Sequence, residues 1–238
     1  MSTRIFTRNS KTIISIDFDR TNTCPQICDY CYVENTERIY KSYSKKLKTN
    51  YELALKDPSD FAKQLNSEYT KLKNSKSKQN LLINKLPVRV YGSGDYIPGH
   101  LNFLKNLNFK FYIISKSLTL STMKNQIEEL LKLNNLTSIV LSIDSQNKSN
   151  YDKIKEFKGK DRFKLAFTGT NEQYEERLAN GEEYDIFFLI SDKKKDREYA
   201  RKFKSQCPCD TRLVAHEAAC TKCNKCWRSS LTKNFNKK

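Results

Sequence analysis

The chain carries eight cysteines, and their spacing is its most chemical feature. Three of them fall as C-x3-C-x2-C in Cys24-Pro25-Gln26-Ile27-Cys28-Asp29-Tyr30-Cys31-Tyr32. The other five, Cys207, Cys209, Cys220, Cys223 and Cys226, crowd toward the C-terminus, and none lies in the 175 residues between the groups. No secretory signal is read at the start, because Met1-Ser2-Thr3-Arg4 leads into mixed polar residues, so metal ligation or redox chemistry is expected over structural disulfides. Two separate sites follow. Three thiolates within eight residues can converge on one metal centre only if the backbone loops around it. On a four-iron cluster three ligands leave one iron open to a substrate or cofactor, whereas a zinc ion normally takes four ligands in paired C-x2-4-C runs.

The elements that must position the first group can be read from hydrophobic patterning. Thr12 to Phe18 is short and β-branched and reads as a buried strand. Pro25 bars a helix directly after it, so the three cysteines are expected on a loop at that strand's C-terminal end, with Asp19 to Thr23 as polar loop. Residues 35 to 80 read as a charged insertion. Within it Tyr51 to Leu55 and Pro58 to Tyr69 are helical, Phe61, Leu65 and Tyr69 form one apolar stripe, Ser59 is the expected N-cap, and Lys71 to Gln79 is an expected loop. From Leu86 a strand-then-helix rhythm sets in. Strands are expected at 86–91, 109–114, 137–144, 162–169 and 184–190, and helices at 100–107, 122–133, 151–157, 171–178 and 196–204. With the first strand this makes six βα units, hence an α/β fold with parallel strands. Periodicity alone leaves an open doubly wound sheet and an incomplete barrel equally available.

Composition sets the outer limits. A 30% charged fraction, and a longest apolar run of only Ile186 to Ile190, exclude a bilayer-spanning helix and place the protein in the cytoplasm. The formal net charge of +17 admits a polyanionic partner. It comes from 33 Lys and 11 Arg scattered among many Asn, however, and such a composition can equally reflect an A/T-rich genome.

The cysteine run, with an aromatic residue directly before its last member, resembles the signature of the radical S-adenosylmethionine (radical SAM) superfamily. Six βα units with a cysteine loop after the first strand are similar to that superfamily's partial (βα)6 TIM-type barrel, over residues of about 12 to 204. The resemblance makes Cys24, Cys28 and Cys31 the ligands of a 4Fe-4S cluster and sets Tyr30 against the adenine of S-adenosyl-L-methionine. Gly92-Ser93-Gly94-Asp95 matches the position of a Gly-Gly-Glu type motif that holds the cofactor's amino group, with Ser in place of Gly and the shorter Asp in place of Glu. On the residues alone, the same four can be a βα turn closed by an N-capping Asp. Ser142 and Asp144 match the ribose contacts, and Phe167-Thr168-Gly169 and Phe187-Phe188-Leu189 the strands that pack the adenine. The activity so implied is reductive cleavage of S-adenosylmethionine to a 5′-deoxyadenosyl radical that abstracts hydrogen from a substrate. The electron would come from a donor such as flavodoxin or ferredoxin.

The chain thus divides into a barrel-like domain, 1–205, and a cysteine-rich segment, 206–238. The segment has too few apolar residues for a core of its own, so bound metal must supply its folding energy. Cys220-x2-Cys223-x2-Cys226 resembles ferredoxin-type ligation, completed by Cys207 or Cys209. Zinc on four of these thiols, or on three with His216, is the alternative. The ending in Cys-Trp also resembles small phage-encoded proteins of this type. Two other readings stand beside the enzyme. One is a zinc-stabilised basic nucleic-acid-binding protein without catalysis, and the other a barrel that keeps its cluster but has lost cofactor chemistry. The substrate, whether nucleic acid, peptide or metabolite, is not legible in the sequence.

Overall fold

The computed structural model describes residues 5–8, 14–25, 28, 31–74, 86–191, 193–207 and 226. It is a mixed α/β structure on one seven-stranded sheet whose strand order is the chain order. β1 (Phe6–Arg8) pairs antiparallel with β2 (Ile14–Ile16). The rest is parallel: β2 to β3 (Val88–Val90), then β4 (Phe111–Ser115), β5 (Leu136–Ile143), β6 (Phe163–Gly169) and β7 (Ile186–Leu189). All six expected strands are present. β1 was not expected, because three residues carry no periodicity of their own and are held as strand only by pairing with β2.

Strand order bears on what periodicity left open. A doubly wound sheet reverses its order at a switch point and puts helices on both faces. Here no reversal occurs, and the helices α3 (Lys41–Lys56), α4 (Pro58–Asn74), α5 (Leu101–Lys105), α6 (Lys124–Leu131), α7 (Tyr151–Ile154), α8 (Asn171–Ala179) and α9 (Lys194–Ala200) share one core. That core takes one side of each strand's alternation: Ile16, Val90, Ile113, Ile139, Leu141, Leu165 and Phe167 all face the helices. Alternate residues, among them Ile114, Val140, Ala166, Ile186 and Phe188, form a smaller cluster apart from that core, together with Cys207 and Cys226. β7 is not paired back to β1, so the sheet is not closed among the described residues.

Several local expectations need correction. Asp19 to Arg20 begins no loop but a one-turn helix, α1 (Arg20–Thr23), because the Asp19 side chain caps it by accepting from the Thr21 N–H at 3.0 Å. An unexpected α2 (Tyr32–Ile39) follows the cysteine loop, and α3 starts ten residues before the predicted Tyr51. The N-cap of α4 is Asp57 rather than Ser59. Asp57 Oδ1 accepts the Asp60 N–H at 2.9 Å, and Pro58 occupies the first helical position, where its missing N–H costs nothing. Residues 71–74 extend α4 instead of forming a loop, since Leu72 packs on the core; 75–79 lie outside the described residues. The helix expected over 100–107 is a 3-10 turn, Pro98–His100, running into the five-residue α5, and α9 ends at Ala200 rather than 204.

Candidate functional site

The C-terminal edge of the parallel strands is where the polar side chains converge. β2 runs out through buried Asp17 and Phe18, and β3 runs out through Tyr91, whose φ of 66° turns the chain sharply into Gly92-Ser93-Gly94-Asp95. A non-glycine residue at positive φ is held there by its surroundings. The Tyr91 N–H donates to the Ile16 carbonyl at 2.9 Å, and its hydroxyl shares a hydrogen with His100 Nδ1 at 3.1 Å. The glycines answer to close approach. A Cβ on Gly92 would lie 2.3 Å from Asp17 Oδ1, and one on Gly94, at φ +77°, would lie 2.6 Å from Thr23 Oγ1 and 2.9 Å from the Phe18 carbonyl.

This turn fixes the start of the cysteine loop. Phe18 N–H donates to the Ser93 carbonyl at 3.0 Å, Ser93 N–H to Asp17 Oδ1 at 3.1 Å, and Asp95 N–H to Thr23 Oγ1 at 3.0 Å. Thr23 directly precedes Cys24. Cys31, at the other end of the loop, occupies the N-cap position of α2 and donates its N–H to the Cys28 carbonyl at 3.0 Å. Arg20 Nε reaches Glu37 Oε2 at 3.0 Å, so α1 and α2 are tied together across the base of the loop. Cys24, Cys28 and Cys31 are half-buried free thiols. Burial pushes the Cys24 thiol up to about 12, and the charges of Asp95, Cys28 and Cys31 push the same way while Lys116 opposes them.

Lys116 is the residue that patterning missed. It follows Ser115 at the end of β4, and its Nζ donates both to Cys28 Sγ, at 2.8 Å, and to Asp144 Oδ2 beyond β5. Burial pulls this ammonium down, but its hydrogen bonds to Asp144 and Cys28 and their charges prevail and leave its pKa raised. Asp144 is fully buried; its Oδ1 accepts the N–H groups of Gln146 and Asn147 at 3.0 and 3.1 Å. The available signal was a polar Ser-Lys-Ser directly after an apolar strand, at the edge where the cysteines were already expected.

The other predicted residues divide. Asp95 is buried, and its carboxylate takes five hydrogen bonds from its own chain. Oδ1 accepts from Tyr96 N–H at 2.7 Å, Ser115 Oγ at 2.6 Å and Ser117 Oγ at 3.1 Å, and Oδ2 from Lys116 N–H at 3.0 Å and Ser117 N–H at 3.1 Å. These donors occupy about four lone-pair sites, and through them Asp95 shapes the Ser115–Ser117 turn. Through the Lys116 and Ser117 N–H groups it also closes the start of the 3-10 turn Ser117–Thr119, not of a helix directly after the glycines. Ser142 lies one step inside the edge, its Oγ 3.3 Å from Thr168 Oγ1. Phe167 and Phe187 belong to the helix-side core, whereas Phe188 lies in the smaller cluster. Tyr30 lies outside the described residues.

Of the C-terminal cysteines, Cys209, Cys220 and Cys223 lie outside the described residues, as does His216. Cys207 is buried beside β7: its N–H donates to the Phe187 carbonyl at 2.8 Å, and Gln206 bridges to Phe187 in parallel fashion. The Cys226 carbonyl accepts from Ser138 Oγ on β5. Both cysteines therefore pack on the sheet itself, with the Val140–Ala166–Ile186 cluster. Among the described residues no group of three or more His, Cys, Asp or Glu side chains is gathered as a single ion would require.

Fold and site together define a mixed α/β protein with a free-thiol loop at the C-terminal edge of a mostly parallel sheet and no described helix long and apolar enough to cross a membrane. A family model described as gene product 88 matches residues 4–229, so the chain belongs to the gene product 88 family. No curated protein and no solved structure matches it.

Proposed function

We propose that the protein is a radical SAM enzyme on a partial (βα)6 barrel, with Cys24, Cys28 and Cys31 holding a 4Fe-4S cluster. The observation that carries the reading is the position of three unbridged thiols, Lys116 and Asp144 at one edge of a sheet wound in a single direction with its helices in one core. In parallel α/β barrels that edge is where the site lies. The donor set fits: soft thiolates suit iron–sulfur ligation, and a cluster spreads its ligands more widely than the shell of a single ion. Bound there, the cluster would supply the electron that splits S-adenosylmethionine to methionine and a 5′-deoxyadenosyl radical able to take hydrogen from a substrate.

The chain's own residues supply binding and orientation. The Gly92–Asp95 turn sets the entry of the thiol loop and α2 its exit. Lys116, anchored by Asp144, places a positive charge beside Cys28 and suits an amino-acid carboxylate. Ser142 is the hydroxyl positioned for a ribose, while Asp95 supports the Lys116 turn from beneath. Cys207 and Cys226 with the remaining thiols would hold a second cluster or zinc against the sheet. The test is anaerobic reconstitution with iron and sulfide, followed by metal counting and assay for 5′-deoxyadenosine. Wild type is expected to carry iron and labile sulfide and to release 5′-deoxyadenosine; Cys28→Ala is expected to stay folded and release none. A mutant that still forms 5′-deoxyadenosine, or purified protein holding zinc in place of iron at both cysteine groups, would refute the assignment.

A further inference from the structure

The elbow between α2 and α3 is a basic surface with an aromatic at its tip. From Arg38 to Lys48 the chain has five cations and no carboxylate. Arg38, Ile39, Tyr40, Lys41, Lys45 and Lys48 are all exposed, Ile39 by 63% and Tyr40 by 60%. Lys41, Lys45 and Lys48 stand at i, i+4 and i+7 on one stripe of α3, opposite the buried Leu47, Asn50 and Ala54. Such a stripe is commonly only a solvated face. Two features set this one apart: large apolar side chains sit at its head without burial, and the elbow is fastened to the cysteine site.

That fastening is direct. α2 starts at Tyr32, immediately after Cys31, and its eight residues span about 12 Å. Beyond the elbow, Tyr43 donates its hydroxyl to Asp17 Oδ2 at 3.3 Å, and Asn50 donates to the Asp17 carbonyl at 2.9 Å. Asp17 also receives the Ser93 N–H. The same residue thus holds both the elbow and the turn that sets the thiol loop.

We infer that this elbow binds single-stranded nucleic acid, with Arg38, Lys41, Lys45 and Lys48 along the phosphates and Tyr40 stacking on an unpaired base. An exposed ring among cations matches a single strand, whose bases offer their faces, better than a closed duplex. A formal charge of +17 favours the encounter at long range. The surface stands on its own geometry. Its meaning as a platform that brings a nucleic acid to the thiol loop rests on the enzymatic reading above.

The test is fluorescence anisotropy of the full chain with labelled single-stranded RNA and DNA of mixed sequence, and with the matching duplex, at several salt concentrations. Lys41→Gln/Lys45→Gln/Lys48→Gln is expected to bind the single strand at least tenfold more weakly and to lower the slope of log K against log salt by about two, at about 0.7 per lost phosphate contact. Tyr40→Ala is expected to lose about tenfold and Tyr40→Phe to retain affinity, as stacking requires. Lys153→Gln/Lys160→Gln/Lys195→Gln, equal in charge change and at the other end of the sheet, is expected to bind as wild type. Equal loss in that control would overturn the proposal. So would duplex bound better than single strand, or polyglutamate held with the same dependence on Tyr40, which would mark an acidic-protein surface. Binding without cofactor cleavage by the reconstituted protein would sink the enzymatic reading and leave the elbow; cleavage without binding would do the reverse.

Discussion

Replacing Lys116 with Met would expose how strongly the edge depends on its buried ion pair. The Lys116 side chain is 15% exposed and that of Asp144 is 0% exposed, so the Met variant leaves a carboxylate buried without its ammonium. Removing one member of a buried pair costs about 3–5 kcal/mol. Asp144 keeps the N–H groups of Gln146 and Asn147, and Lys116 is not wholly dry, so the cost falls to the bottom of that range or just below it, about 2–3 kcal/mol. In a chain of this size that lowers Tm by about 4–12 °C. The assay is urea unfolding of reduced apo-protein under anaerobic conditions, followed by far-UV circular dichroism, with an unchanged m value as the check on two-state behaviour. Lys116→Met/Asp144→Asn removes the stranded charge and is expected to be more stable than the sum of the two single changes by at least about 1 kcal/mol. A single variant within about 0.5 kcal/mol of wild type, or a strictly additive double variant, would show that the pair holds nothing together.

Further predictions concern the strained turn and its aromatic support. Gly94→Ala places a Cβ at positive φ against the Phe18 carbonyl and Thr23, and is expected to cost about 2–4 kcal/mol; Gly159→Ala, at the same φ of +77° with nothing within 4 Å, should cost only about 1 kcal/mol. Equal losses in thermal unfolding would contradict the close approach. His100 is fully buried 4.4 Å from Phe18 in ring centroid distance, and burial holds its pKa down at about 3, below the ordinary 6.5. The unfolded chain then takes up a proton below pH 6.5 that the folded chain refuses. Stability is accordingly lost as pH falls from 6.5 toward 3, by about 2 kcal/mol at pH 5. His100→Phe should flatten that acid limb, and an unchanged slope between pH 7 and 5 would exclude His100 as its source.

The strands show how far local pattern reaches. Every parallel strand was legible because a buried β-strand writes its burial into consecutive residues, as in Thr137 to Ile143. The cysteine loop was legible too, since Pro25 and the end of an apolar run are local facts. What was missed were elements and contacts that no run of buried residues announces. β1 exists by pairing with β2, and α2 was hidden in a charged stretch. The five donors of Asp95, from neighbouring Tyr96 and from a turn twenty residues away, were not legible in its motif position.

The sequence by itself determined an α/β chain of six strand–helix units and two cysteine groups, the first of them at the end of the first parallel strand. Tertiary structure alone decided that the strand order never reverses and that the helices pack in one core. It also decided that Cys207 and Cys226 lie on the sheet, and that Lys116 joins Cys28 to Asp144. The contacts behind the last two join residues 20 to 88 positions apart. Hydrophobic period reports only whether a residue is buried, whereas a charge pair or a thiol's neighbour is chosen by the crossovers that bring strand ends side by side.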